Sequence, residues 1–207
     1  GGGVTSYREG VFTRFKNIPE KRDSLPNDKL LTVFEDSKGR MWFGFKEGIA
    51  RLNAKDKTFK YYKNTPAEKN SIAKGWVSYI FEDDLGNFWV ALRGGGVSIW
   101  SEEDRRKNVA NFKTLDKSNG LPSNTIYGVL QDKAGNIWLS SSKGLIKYDQ
   151  FQRTFERFTE SQGLQGLDFN LGAAYKSSDG KLYFGGTNGF NYFDPTLFSS
   201  NKHAPEV

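Results

Sequence analysis

The chain has 207 residues, of which 15% are aromatic, with 23 glycines, 6 prolines and no cysteine. So aromatic a chain is not disordered, and without cysteine it holds neither a disulfide framework nor a thiolate metal site. The formal charge of +6 is spread along the chain, so no block of like charge marks a nucleic-acid face, and no apolar run reaches the roughly 20 residues that span a bilayer.

The opening stretch, GGGVTSYREGVFTRF at 1–15, predicts two short strands. They match the last two strands of a repeat that is fully spelled only later, so the chain opens inside a repeat, with no signal-peptide pattern. From 30 to 62 comes the first whole copy. A β-branched and aromatic run, LLTVFE, predicts a strand. Asp36, Gly39 and Trp42 follow in EDSKGRMWFG. Asp at the first turn position accepts backbone N–H groups, and Gly at the last takes a positive φ, so the segment predicts a hairpin. The second strand carries Trp42 as a plug between sheets. GIARLN and TFKYY predict the third and fourth strands.

The same text returns at 76–113 with Asp83, Gly86 and Trp89, and at 125–158 with Asp132, Gly135 and Trp138. The tryptophans lie 47 and 49 residues apart (42 to 89, 89 to 138). Tyr183 follows 45 residues on (138 to 183), in a copy at 168–198 where Ser177 replaces Asp. Six residues beyond each aromatic stands a glycine: Gly48, Gly95, Gly144 and Gly189.

A four-stranded meander repeated at this period predicts an all-β fold, a β-propeller of four-stranded antiparallel blades. Each small sheet has two apolar faces and buries them only against neighbouring blades. The chain carries about four and a half blades, which predicts part of a larger propeller, with 199–207 as a connector to a following domain. The three aspartates are structural by this reading.

These residues resemble the two-component regulator propeller repeat, roughly N-x-L-x-x-N-x-V, D-x-x-G-x-L-W-[IV]-G-T and G-L-x-x-Y. The nearest match is NGLPSNTIYGVLQDKAGNIWLSSSKGLIKYD, from Asn119 to Asp149. The stretch from Gly166 to Phe198 resembles that family's last repeat. The resemblance implies the periplasmic sensor region of a bacterial membrane-spanning regulator. A sandwich domain, one membrane helix and a histidine kinase, often hybrid, or a diguanylate cyclase would follow. It also implies a small polar ligand, often a carbohydrate fragment, and pairing as a homodimer. The membrane would be reached only through downstream segments, with no cofactor and no nucleic acid.

The residues predict no catalytic set and no metal site. The one histidine, His203, stands in a polar tail. The pairs Asp83-Asp84 and Glu102-Glu103 are sequence neighbours, which on a strand point to opposite faces. The enzyme alternative is a glycosidase whose carboxylates converge from different blades. Binding has the better architectural basis, because two sets of loops gather at one end of the channel. The turns between second and third strands bring Lys46, Arg93, Lys143 and Asn188. The connections between blades bring Trp76, Asn124, Asp168 and Asn170. Trp76 stands outside the repeated tryptophan position, and converging cations favour an anionic ligand such as an acidic oligosaccharide. The other function class is a scaffold for protein interaction or dimerisation with no small-molecule site.

Overall fold

The computed structural model describes residues 2–198. The predicted connector at 199–207 and His203 lie outside them. Five antiparallel sheets follow one another along the chain, each a meander of sequence neighbours. The first is a hairpin, β1 (Val4–Arg8) with β2 (Val11–Phe15). Three four-stranded blades follow. Blade one is β3 (Thr32–Glu35), β4 (Met41–Gly44), β5 (Gly48–Asn53) and β6 (Thr58–Lys63). Blade two is β7 (Trp76–Glu82), β8 (Phe88–Arg93), β9 (Gly96–Trp100) and β10 (Phe112–Leu115), with a short helix α1 (Glu102–Arg106) before β10. Blade three is β11 (Ile126–Gln131), β12 (Ile137–Ser141), β13 (Gly144–Asp149) and β14 (Thr154–Phe158). The last sheet has three strands, β15 (Phe169–Lys176), β16 (Leu182–Gly186) and β17 (Gly189–Phe193).

The core is divided among the joints between sheets. Trp42 joins Phe88 and Trp100 between blades one and two. Trp89 joins Ile137, Leu139 and Ile146 between blades two and three, and Trp138 joins Leu182 and Phe184 between blade three and the last sheet. The side chains alternate along each second strand. The anchor tryptophan faces the next blade, and its two neighbours face the previous one.

One glycine falls elsewhere than the six-residue spacing predicts. The third strand of blade two starts at Gly96, not Gly95, because the RGGG turn holds one residue more. Gly96 and Gly144 have φ of 71° and 98°, and a Cβ on either would collide with the carbonyl oxygen of the fourth strand's last residue, Leu115 or Phe158. Only glycine lets the two strands close at that point. At Gly189 a Cβ would meet nothing within 4 Å, since no fourth strand lies beside β17 among the described residues.

Candidate functional site

The three Asp turns share the same amide and indole bonds. In the second, Asp83 Oδ1 accepts from the Leu85 and Asn87 amides at 3.0 and 2.8 Å, and Oδ2 accepts from Trp89 Nε1 at 2.8 Å. Asp36 and Asp132 do the same with Trp42 and Trp138, each also at 2.8 Å. The turn glycines Gly39, Gly86 and Gly135 all have positive φ and return their amides to the aspartate carbonyls. Each carboxylate is therefore spent on its own hairpin and its own plug. Burial raises the Asp36 carboxyl, but hydrogen bonds from Trp42 and Arg40 outweigh it and hold the group below its ordinary value. The fourth turn lacks the arrangement. There Asp179 takes bonds from Ser177 and Lys181, which hold its carboxyl at about 2 on the surface.

The residues before Asp83 and Asp132 stitch neighbouring blades. Glu82 Oε2 accepts from the Ser37 amide of blade one at 2.6 Å, and Gln131 Oε1 accepts from the Asp84 amide of blade two at 2.8 Å. At the last joint that position is Lys176, which has nothing to accept with, and Lys133 Nζ donates instead to the Asp179 carbonyl at 3.2 Å. Arg105, from α1, adds a buried clamp at the first joint. It donates to Glu82 at 2.6 Å, lies 3.5 Å from the Asp36 carboxylate, and sits 3.8 Å above the Phe88 ring. The sequence EEDRRK reads as a solvated mixed-charge run, and the helix that turns Arg105 inward is not visible in it.

At the other end of the blades lie the predicted loop residues. The structure brings three of them together. Trp76 opens β7 with its ring 44% exposed, Lys46 Nζ lies 5.7 Å from the ring centre, and the Arg93 guanidinium lies 5.5 Å from it. Two cations over one ring are held by its negative face, which orients both before any ligand arrives. Lys74 and Glu47 complete the wall of a recess of about 350 Å³.

Burial pushes the Tyr127 hydroxyl up, its hydrogen bond to Asp168 and that carboxylate's charge push it further, and the Arg93 charge opposes them. Lys46, Trp76 and Arg93 meet where blades one and two adjoin, whereas Tyr127 stands in blade three and Asp168 just before the last sheet. Tyr127 is absent from the sequence prediction. It sits in a β-bulge of β11 between Ile126 and Gly128, and bulges re-aim side chains. Ser78 occupies the same bulge in β7, and its hydroxyl donates to the Ile126 carbonyl of blade three at 2.6 Å. The available signal was variation. Five residues before the turn position the copies read Leu31, Ser78, Tyr127 and Gly172, within strands that otherwise repeat.

The predicted asparagines are occupied elsewhere. Asn124 accepts from the Lys117 amide at 2.8 Å, and its carbonyl receives the Gly94 and Gly96 amides, docking the RGGG turn on the next blade. Asn170 donates to the Gly186 carbonyl at 3.1 Å, and Asn188 is bound to Gln165. Lys143 is exposed in the β12–β13 turn, one blade beyond the recess wall.

Comparison with known proteins agrees with this geometry. The family described as "Two component regulator propeller" matches residues 24–47 and 120–143. Histidine kinase P4 of Formosa agariphila is 30% identical over 212 residues, covering 100% of this chain and 15% of the kinase. The extracellular domain of a hybrid two-component system of B. thetaiotaomicron superposes with a TM-score of 0.76 at 22% identity, over 93% of this chain and 25% of that one. A second such domain from B. thetaiotaomicron also gives 0.76, at 20% identity, over 94% of this chain and 26% of that one. The chain therefore spans between 15% and 26% of the length of these relatives. The turns, the plugs and the matches agree, and the segments 24–47 and 120–143 are two-component regulator propeller repeats, whose Asp-x-x-Gly-x-x-Trp turn blade two also carries.

Proposed function

We propose that the chain is part of the extracytoplasmic sensor propeller of a bacterial membrane-spanning regulator whose output is a histidine kinase. Its Trp76 recess takes a small polar ligand that carries negative charge, such as an acidic oligosaccharide. The observation that carries the ligand reading is the pair of cations, Lys46 and Arg93, held over the exposed ring of Trp76. Neutral sugars stack on open aromatic faces, whereas this ring is already engaged by cations, and the cations offer an anion two oriented donors. The location and the output are supported by relatives that are a histidine kinase and extracellular domains of hybrid two-component systems.

Calorimetric titration with sulfated or uronate oligosaccharides, beside neutral ones of equal length, tests the ligand class. Acidic chains should bind, more weakly as salt rises, and Arg93→Glu should weaken them at least tenfold. Equal binding of neutral chains, with Arg93→Glu indifferent, would sink the reading.

A further inference from the structure

The three whole blades show what the repeat itself requires, and blade one departs from it at one corner. Level with the anchor tryptophan, the third and fourth strands carry Ile99 opposite Lys113 in blade two and Lys147 opposite Glu156 in blade three. In blade one they carry Arg51 opposite Lys60. Like charges directly opposite one another cost a sheet stability. Arg40 departs too. The sister turns have Asn87 and Asn136 there, each donating Nδ2 to its turn aspartate at 3.1 and 2.9 Å. Arg40 Nε makes that bond at 2.7 Å, which leaves both its Nη groups without a partner among the described residues. The Arg40 and Arg51 guanidinia lie 6.0 and 5.8 Å from the centre of the Trp42 ring, and Lys60 Nζ lies 5.3 Å from that of Tyr62.

The charges at this corner do not balance. Arg40 and Arg105 are matched by the carboxylates of Asp36 and Glu82. Arg51 and Lys60 form no ion pair among the described residues. Asp56 is spent on its own turn, accepting from Thr58 and from Asn53 Nδ2. The Tyr62 hydroxyl supplies no charge either, because burial pushes it up against the pull of Arg51 and Arg40. Arg40 and Arg51 wall a recess of about 370 Å³ together with Met41, Leu52 and Asn53, and no carboxylate lines it.

We propose that Arg40, Arg51 and Lys60 form a second anion site, at the Asp-turn end of blade one and away from the Trp76 recess, whose ligand presents a tetrahedral dianion. Two uncompensated cations call for two negative charges, and a single carboxylate would leave one of them unmatched. A guanidinium gives two parallel N–H donors to a phosphate or sulfate, and an ammonium adds a point charge. The repulsion between Arg51 and Lys60 is borne by the ligand-free chain and relieved when the dianion enters. The same group can come as the free ion or as a phosphate monoester.

Calorimetric titration with inorganic sulfate, inorganic phosphate, glucose 6-phosphate and acetate tests this, at a pH above about 7 where phosphate is doubly charged. The dianions should bind at least tenfold more tightly than acetate. Lys60→Glu copies the cation–anion pair of blade three, so it should weaken them at least tenfold without lowering the ligand-free urea midpoint. Arg51→Gln should weaken them as much, and Arg93→Glu, at the other end of the blades, should change nothing. Equal affinity for inorganic phosphate and glucose 6-phosphate would identify the free ion as the ligand, and a tenfold preference for the sugar phosphate would identify an ester. Absence of dianion binding, or binding that Lys60→Glu and Arg51→Gln leave intact, would overturn the proposal. Loss of binding in Arg93→Glu alone would overturn it too, by assigning the dianion to the Trp76 recess.

Discussion

Trp138 Nε1 lies 2.8 Å from Asp132 Oδ2, six residues upstream, inside a joint where both side chains are buried. The bond makes two demands of the sequence one demand. A buried indole N–H needs an acceptor, and a buried carboxylate needs donors. The hairpin supplies each to the other while the ring fills the joint. That is why Asp-x-x-Gly-x-x-Trp returns whole, and why the copy with Ser177 has also lost its tryptophan.

Trp138→Phe keeps most of the packing and deletes only the N–H. Asp132 Oδ2 then keeps only its bond from Asn136 Nδ2, at 2.9 Å. The expected cost is about 1–3 kcal/mol, the penalty of an under-satisfied buried polar group. Trp138→Ala should cost about 3–5 kcal/mol. Urea unfolding measures both, and a Trp138→Phe cost near zero would mean that the bond contributes nothing beyond the ring.

Asp36 gives the fold a pH dependence. Its carboxyl titrates below its ordinary value in the folded chain. The native state therefore binds the proton more weakly than the unfolded state does. The stability this contributes is complete above the unfolded value, about 3.9, and is lost as pH falls through the lower folded value. Asp36→Asn removes that part of the slope. Denaturation midpoints measured from pH 5 downward should fall more steeply in the native chain than in the variant, and parallel curves would contradict the assignment.

Arg105 is buried with its Nε lacking a hydrogen-bond partner. Arg105→Met leaves the Glu82 carboxylate buried without its cation, at an expected cost of about 3–5 kcal/mol. The next joint shows a remedy, because Gln131 accepts the neighbouring amide there without any arginine. Adding Glu82→Gln to Arg105→Met should recover at least half of the loss. A double-mutant cycle reads the coupling, and additive costs would show that the pair does not act as one clamp.

Period, hairpin chemistry and blade count were legible because each turn obeys a local rule: Asp for the amides, Gly for the positive φ, Trp for the gap. The cationic turns were legible for the same reason, since Lys46 and Arg93 occupy matching places in successive copies. What the sequence hid is non-local. The Glu82 and Gln131 stitches and the inward turn of Arg105 depend on how blades face one another. Tyr127 is re-aimed by a bulge, and a single inserted residue leaves no periodic trace. Asn124, Asn170 and Asn188 show the opposite error. Polar residues on a loop end suggest a ligand, yet here their amides hold the loops themselves.

The glycines opening the third strands separate a complete blade from an incomplete one. At Gly144 an added Cβ runs into the Phe158 carbonyl of β14, so Gly144→Ala must push two hydrogen-bonded strands apart. At Gly189 the backbone also has a positive φ, 120°, but the space beside it is open. Gly189→Ala in the 207-residue chain should therefore cost only the backbone strain, about 1–3 kcal/mol, and Gly144→Ala clearly more. Urea midpoints of the two variants decide the matter. Equal costs would mean that a fourth strand already lies against β17, because only a neighbouring carbonyl makes the methyl group intolerable rather than merely strained.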